Sequence, residues 1–151
     1  YHAPLDAAAQ ASLSRSFREL SNASPALQSP IDINDRSVEV IARTDDVLMC
    51  RFAELCEKPR SAHDYIEIAR EYHAVLLADV PALGASNDDA ARRFINLVDE
   101  FYDRSVKLII SAERPILELY DQGRLNFEFQ RTQSRLQEMQ SREYLAREHR
   151  P

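Results

Sequence analysis

A few short stretches bring together residue types that can do chemistry. Asp79 closes the apolar run Ala74–Ala78, and Ser111, Ala112 and Glu113 close a second run, Val106–Ile110. If both runs are strands of one parallel sheet, Asp79, Ser111 and Glu113 share its carboxyl edge, where open α/β sheets keep their ligand crevice. Carboxylates there can hold magnesium or activate water, the chemistry of a metal-dependent phosphohydrolase, with Asp99 or Glu100 nearby. The same acids have a plainer use: Asp79 capping a turn before Pro81, and Glu113 capping a helix opened by Pro115. Further on, Arg131 and Arg135 lie one turn apart in FEFQRTQSRLQEMQS, near the expected start of a last helix. A cation there faces the positive dipole end, at a cost of roughly a few tenths of a kcal/mol or more. Something anionic should compensate, either a carboxylate such as Glu128 or Glu138 or a nucleotide phosphate supplied by another domain. Arg92 is placed to reach a partner, and Arg93 is expected to face solvent.

Other chemistries find no footing. A P-loop needs G-x-x-x-x-G-K-[ST], but the glycines are Gly84 and Gly123, and neither opens that pattern. His2, His63, His73 and His149 lack zinc-site spacing, and Cys50 and Cys56 have no second ligand pair beside them, so no metal is expected. No Gly-x-Ser-x-Gly elbow is present. A net charge of −6 argues against binding nucleic acid through bulk electrostatics. No apolar run approaches the roughly 18 residues that would span a bilayer, and no signal peptide is visible. With two cysteines expected to be buried and reduced, a cytoplasmic location is the default reading. The chain opens on Tyr1 rather than Met, which suggests a fragment or a processed product.

The elements that must position these residues follow from periodicity. The valine-, isoleucine- and leucine-rich runs ending at Asp79 and Ser111 read as strands buried on both faces. Between them Ala91, Phe94, Ile95, Val98, Phe101 and Tyr102 recur at helical spacing, predicting a helix over Asp88–Asp103 with Asn87 or Asp88 as its cap. Strand, crossover helix and strand make a right-handed βαβ unit. Before it, Pro4–Leu20 reads as an amphipathic helix and Ser21–Pro30 as a linker. Val38–Ala42 and Val47–Phe52 then form an antiparallel hairpin, with Ile31–Asn34 as a possible third strand. Ser61 and Asp64 predict an imperfect capping box on a helix whose inward stripe is Tyr65, Ile66, Ala69 and Tyr72. A short helix from Pro115 stops at Gly123, and Phe127–Phe129 alternates as a brief strand or anchoring turn. A final helix from Thr132 to Arg147 should carry Leu136, Met139 and Leu145 inward. The expected class is therefore α/β: a parallel βαβ core with flanking helices, preceded by a helix and a hairpin. A division falls near Phe52, separating 1–51 from 52–151.

From about Phe52 onward, RFAELC, PRSAHDYIEIAREYHAVLLADVP, ARRFINLVDEFYDRSVKLIISAE and FEFQRTQSRLQEMQSREYLAREH closely resemble the carboxy-terminal third of the ZapE family. These are AAA+-type P-loop ATPases of bacterial cell division, with a mitochondrial branch known as lactation-elevated protein. Residues 1–51 resemble the preceding family segment more loosely. The resemblance implies an ATPase that associates with the division ring protein FtsZ at the division site, or peripherally at the inner membrane. Its mitochondrial relatives are linked to quality control of inner-membrane proteins. The family's Walker segments lie upstream of the matching region, so ATP and Mg²⁺ would be held by an upstream ATPase core, in a parent that could be a homo-oligomer. The chain by itself is then expected to be inactive and free of cofactor. In AAA+ proteins the carboxy-terminal part supplies an arginine that senses the γ-phosphate, a role the resemblance gives to Arg131 or Arg135. Asp79, Ser111, Glu113 and Arg92 are further candidates for contact with the nucleotide. LLADVP also resembles a Walker B strand and LIISAE a sensor strand, with Val80 where the catalytic glutamate would stand. The rival reading is a stand-alone protein-interaction module without nucleotide chemistry.

Overall fold

The computed structural model describes all 151 residues. Its centre is a four-stranded sheet in the order β3–β4–β5–β6, comprising β3 (Ala42–Arg43), β4 (Val47–Arg51), β5 (Ala74–Val80) and β6 (Lys107–Ala112). β4, β5 and β6 run parallel, and β3 pairs antiparallel to β4 through Ala42↔Met49. At the far edge His2 bridges β6, donating its N–H to Ile110 O at 2.8 Å and accepting from Ala112 N–H at 2.9 Å. The crossover helix is α3 (Asp88–Asp103), as its periodicity predicts: Ala91, Phe94, Ile95, Val98 and Phe101 are all buried. Asp88 and Asp89 sit in its first turn, where acids favour the dipole. Asn87 precedes it, but its side chain serves the loop instead, accepting from Gly84 N–H at 2.8 Å and donating to Ala82 O at 3.0 Å.

Helices cover both faces of the sheet, unequally. Alternation along β5 sends Val75 and Leu77 into a large core shared with α2 (Ala62–Glu71) and α3, while Ala74, Leu76 and Ala78 face the opposite way. There α1 (Ala7–Leu20) alone covers the sheet, laying Leu13 and Phe17 on Val47, Met49 and Leu76. Asp6 starts α1, its carboxylate accepting from Ala9 N–H at 2.8 Å. α4 (Asn126–Glu138) packs outside α3, and Phe129 stacks between Phe94 and Tyr120 at centroid distances of 6.2 and 5.1 Å. Gly123 is required by close approach: a Cβ there would run into the Tyr120 hydroxyl, which Leu125 N–H holds at 3.1 Å.

Several boundaries differ from the sequence expectations. Val38 and Ala42 do not share a strand. β1 (Ile31–Ile33) and β2 (Arg36–Val38) form their own two-stranded sheet, and the hairpin to β4 begins only at Ala42. β4 is then hydrogen-bonded to β5 from Val47↔Ala74 to Arg51↔Ala78, so the main sheet runs across the expected division at 51/52. The small sheet is tied to α2 by Asp64, whose carboxylate accepts from Ser61 N–H (3.0 Å) and Asn34 Nδ2 (3.0 Å) and lies 3.5 Å from Arg36. In α2, Ile68 rather than Ile66 completes the buried stripe with Tyr65, Ala69 and Tyr72. The stretch after Pro115 closes only one tight turn, Ile116–Glu118. Phe127–Phe129 is the first turn of α4, not a strand. The expected helix from Thr132 to Arg147 is two: α4 ends at Glu138, and the Ser141 hydroxyl caps α5 (Arg142–Leu145) by accepting from Tyr144 N–H at 3.2 Å. That break turns Tyr144 inward, where its hydroxyl donates to Val106 O (2.7 Å) and lies 3.2 Å from Phe101 O, and leaves Leu145 exposed.

Candidate functional site

Two surfaces carry the residues singled out from the sequence. The first is the carboxyl edge of the sheet. The register of β5 against β6 runs evenly to Leu77↔Ile110 and resumes at Val80↔Ala112, so Ala78 and Asp79 together oppose Ser111. This is a β-bulge, and its extra residue is Asp79, held at φ 65°, a left-handed conformation unusual for a residue with a Cβ. The Asp79 N–H leaves the ladder and bonds the Ser111 hydroxyl at 3.0 Å. The slip returns Val80 to the large core, fully buried, and leaves the Asp79 side chain exposed beside a groove of about 330 Å³. That groove lies between the first half of α1 and the ends of β4 and β5.

The sheet thus brings Asp79 and Ser111 together, but neither predicted capping role is made. The Asp79 carboxylate accepts no hydrogen bond, and Glu113 is exposed, joined to the bulge only through its N–H to Val80 O at 2.9 Å. Asp99 and Glu100 lie elsewhere: Asp99 faces α4, and Glu100 pairs with Arg104 at 3.0 Å. No group of three or more His, Cys, Asp or Glu side chains converges on a common point. Both thiols are buried and unpaired, and burial pushes that of Cys50 up to about 12, far from a reactive thiolate.

The second surface is the seam between α3 and α4. Arg131 sits in the second turn of α4, because the helix begins at Asn126. The dipole conflict expected for a helix starting at Thr132 therefore does not arise. Its partner is neither Glu128 nor Glu138 but Asp99, which accepts from Arg131 at 2.9 Å through one oxygen and from Arg135 through the other. Glu128 pairs instead with Arg92 at 3.3 Å, while Glu138 accepts from the Tyr102 hydroxyl at 2.7 Å and from Arg147 at 3.2 Å. The two arginines differ in setting. Arg135 is 25% exposed and lies over the Tyr102 ring at 4.8 Å, whereas Arg131 is 56% exposed. Arg93, expected in solvent, is half-buried and donates to Cys56 O at 3.1 Å.

Sequence reasoning missed two participants. Arg51, at the end of β4, lines the groove, and only the β4–β5 register places it beside Ala78. Phe127 is 81% exposed on α4, one turn before Arg131; its place in an alternating FEF disguised it as a strand residue.

The model of the AFG1-like ATPase family matches residues 1–148. The cell division protein ZapE of Escherichia coli K12 is 52% identical over 119 residues, covering 79% of this chain and 32% of that protein. Lactation elevated protein 1 homolog B of Danio rerio is 34% identical over 146 residues, covering 76% of this chain and 29% of that protein. The chain thus spans about a third of the length of the curated relatives it matches. No solved structure matches it. The family match runs through both surfaces, the Asp79 bulge and the Arg131–Asp99 seam alike, and the chain belongs to the AFG1-like ATPase family.

Proposed function

We propose that this chain works as part of a ZapE-like cell-division ATPase, presenting the outer face of α4 to a nucleotide-bearing core elsewhere in the same enzyme. The observation that carries the reading is a pair of residues one helical turn apart. Phe127 is 81% exposed and Arg131 is 56% exposed, so an apolar anchor and a guanidinium share one outward face. An exposed aromatic beside an arginine is the composition of an interface hot spot. The Asp99 pair does not oppose this role. One carboxylate shared by two guanidinium groups leaves the cluster with an excess positive charge, and the exposed Arg131 arm of it is held by no more than about 1 kcal/mol.

The residues present here would not cradle ATP and Mg²⁺: the only glycines, Gly84 and Gly123, lie in two separate loops that meet beside Tyr120, and neither forms a phosphate loop. Arg131 fits one element of such a site, a fixed cation. When bound, the nucleotide supplies the transferring phosphoryl group. Arg131 would place positive charge where negative charge grows, and Arg135, held by Asp99 and Tyr102, would position Asp99 and through it Arg131. Arg92, which is 51% exposed and paired to Glu128, borders the same seam. By the same family reading the assembled enzyme would associate with FtsZ in the cytoplasm at the division site, or peripherally at the inner membrane, in a parent able to form a homo-oligomer.

The test is ATP hydrolysis by the full-length enzyme. Arg131→Ala should lower kcat by about 10²-fold, the usual loss when a preorganised charge on the phosphoryl group is removed. Phe127→Ala should weaken coupling without unfolding the chain. Unchanged kcat in both variants would leave the α4 face as scaffold and favour an interaction module without nucleotide chemistry.

A further inference from the structure

The carboxyl-edge groove lies apart from the α4 face, and its construction is not explained by folding alone. Parallel sheets rarely need a bulge to pass from a strand into a loop, and bulges cluster where a side chain has to be re-aimed. Here the bulge holds Asp79 at φ 65°, a strain that a buried strand does not require. Ser111, itself 3% exposed, spends its hydroxyl on the displaced Asp79 N–H and so holds the bulge in place. The result is a carboxylate directed beside the groove rather than into the core behind α3.

Across the groove stands the opposite charge. Arg51 is paired in register with Ala78, one residue before Asp79, and both Arg51 and Asp79 line the cavity. Yet they form no ion pair with each other, and neither side chain has any other hydrogen-bond or ion-pair partner within the chain. On the far side of the sheet, around α3 and α4, arginines are paired with acids: Arg92, Arg104, Arg124, Arg131, Arg135 and Arg147 all are. Beside the two free charges the groove offers an apolar patch of Met49, Ile41 and Leu13; its α1 side is polar, with Gln10, Ser14 and Asp6, whose carboxylate is already engaged by Ala9 N–H and His2. A volume of about 330 Å³ sits at the lower end of the range for small-molecule sites.

We propose that this groove binds a compact zwitterion with an apolar body, its ammonium on Asp79 and its carboxylate on Arg51. That is the chemistry of a free apolar amino acid or of a short apolar peptide with free ends. The apolar body would lie on Met49 and Ile41 under α1. Binding of this kind is independent of the role given to Arg131, because the two surfaces share no residue.

Amide NMR titration of the 151-residue chain with L-leucine and with the dipeptide Leu-Leu tests it. Saturable shifts of the Arg51, Asp79 and Ser111 amides are expected, and the tighter of the two ligands identifies the source. The single-charge analogues isoamylamine and 4-methylpentanoate should each bind at least about tenfold more weakly, as should either zwitterion to Asp79→Asn or Arg51→Gln. Asp79→Asn keeps a residue tolerant of positive φ, so its fold should persist. Asp79→Gly separates site from scaffold: relief of the positive φ should raise the melting temperature while binding is lost. No saturable shift from either zwitterion up to about 20 mM, well past a roughly millimolar Kd, would overturn the proposal. So would analogues that bind as well as the zwitterions, or an Asp79→Gly chain that binds like the native one.

Discussion

The two faces of the sheet are built to different standards. Behind it, α2 and α3 close a core of 34 buried residues, in which Phe52, Phe94, Phe129 and Tyr120 pack ring against ring. Charged groups on that side are satisfied: Glu54 is held by Lys58 and Arg60, Asp64 by Ser61, Asn34 and Arg36, and Asp99 by two arginines. In front, a single helix covers a cluster of 8 buried residues and leaves a groove with an unpaired Arg51 and a strained Asp79. Buried packing is concentrated on one face, and the other keeps free charge beside a left-handed residue at a strand end.

The largest expected effect is at Phe94. This side chain is fully buried between Phe52 and Phe129, so Phe94→Ala should cost about 3–5 kcal/mol in chemical denaturation. A loss under about 1 kcal/mol would mean that the α3 face is not the main store of stability. Next comes Asp64. Burial pushes its carboxyl up, but the hydrogen bonds from Ser61 and Asn34 and the nearby Arg36 and Arg60 outweigh that and hold it below its ordinary 3.8. A depressed carboxyl contributes stability that is present above its ordinary pKa and lost as pH falls through the lowered one. Asp64→Asn should therefore destabilise the chain by about 1–3 kcal/mol at neutral pH and flatten the acid limb of its stability curve. An acid limb identical to that of the native chain would remove Asp64 as the tie between the small sheet and α2.

The arginine pair should give a smaller and graded effect. Arg135→Ala loses both the Asp99 bond and the Tyr102 face and should cost about 1–2 kcal/mol, whereas Arg131→Ala should cost less than about 1 kcal/mol. Equal losses in thermal melts would erase the distinction between anchored and presented guanidinium. Hydrogen exchange sharpens the comparison without mutation. Amides of β4 should be protected like those of β5, its sheet neighbour, while α1 should open first, since only its Ala9, Leu13 and Phe17 are buried.

Much of this architecture was legible in the sequence because it rests on periodicity. Ala74–Val80, Asp88–Asp103 and Lys107–Ala112 announce themselves by runs and spacing, and the juxtaposition of Asp79 with Ser111 follows from them. What stayed hidden depends on register or on a local competition. A bulge is one residue of slip between β5 and β6, which neither strand's own pattern records. The pairing of Arg51 with Ala78 is likewise a property of two strands together. The start of α4 was obscured because Asn126–Phe129 alternates like a strand until Phe129 is claimed by the aromatic core. Its end was obscured because Ser141, unremarkable in a helix, uses its hydroxyl to cap a new one. Asp99 escaped notice as the arginines' partner since the α3–α4 seam joins residues 32 and 36 positions apart.

The proposed ATPase role rests on Arg131. Its most direct test is kcat for ATP hydrolysis by the full-length enzyme carrying Arg131→Ala, measured beside the melting temperature of the same substitution in the 151-residue chain. A fall of about 10²-fold in kcat with a nearly unchanged melting temperature is the predicted result. A native kcat together with a destabilised chain would contradict it and make Arg131 part of the scaffold.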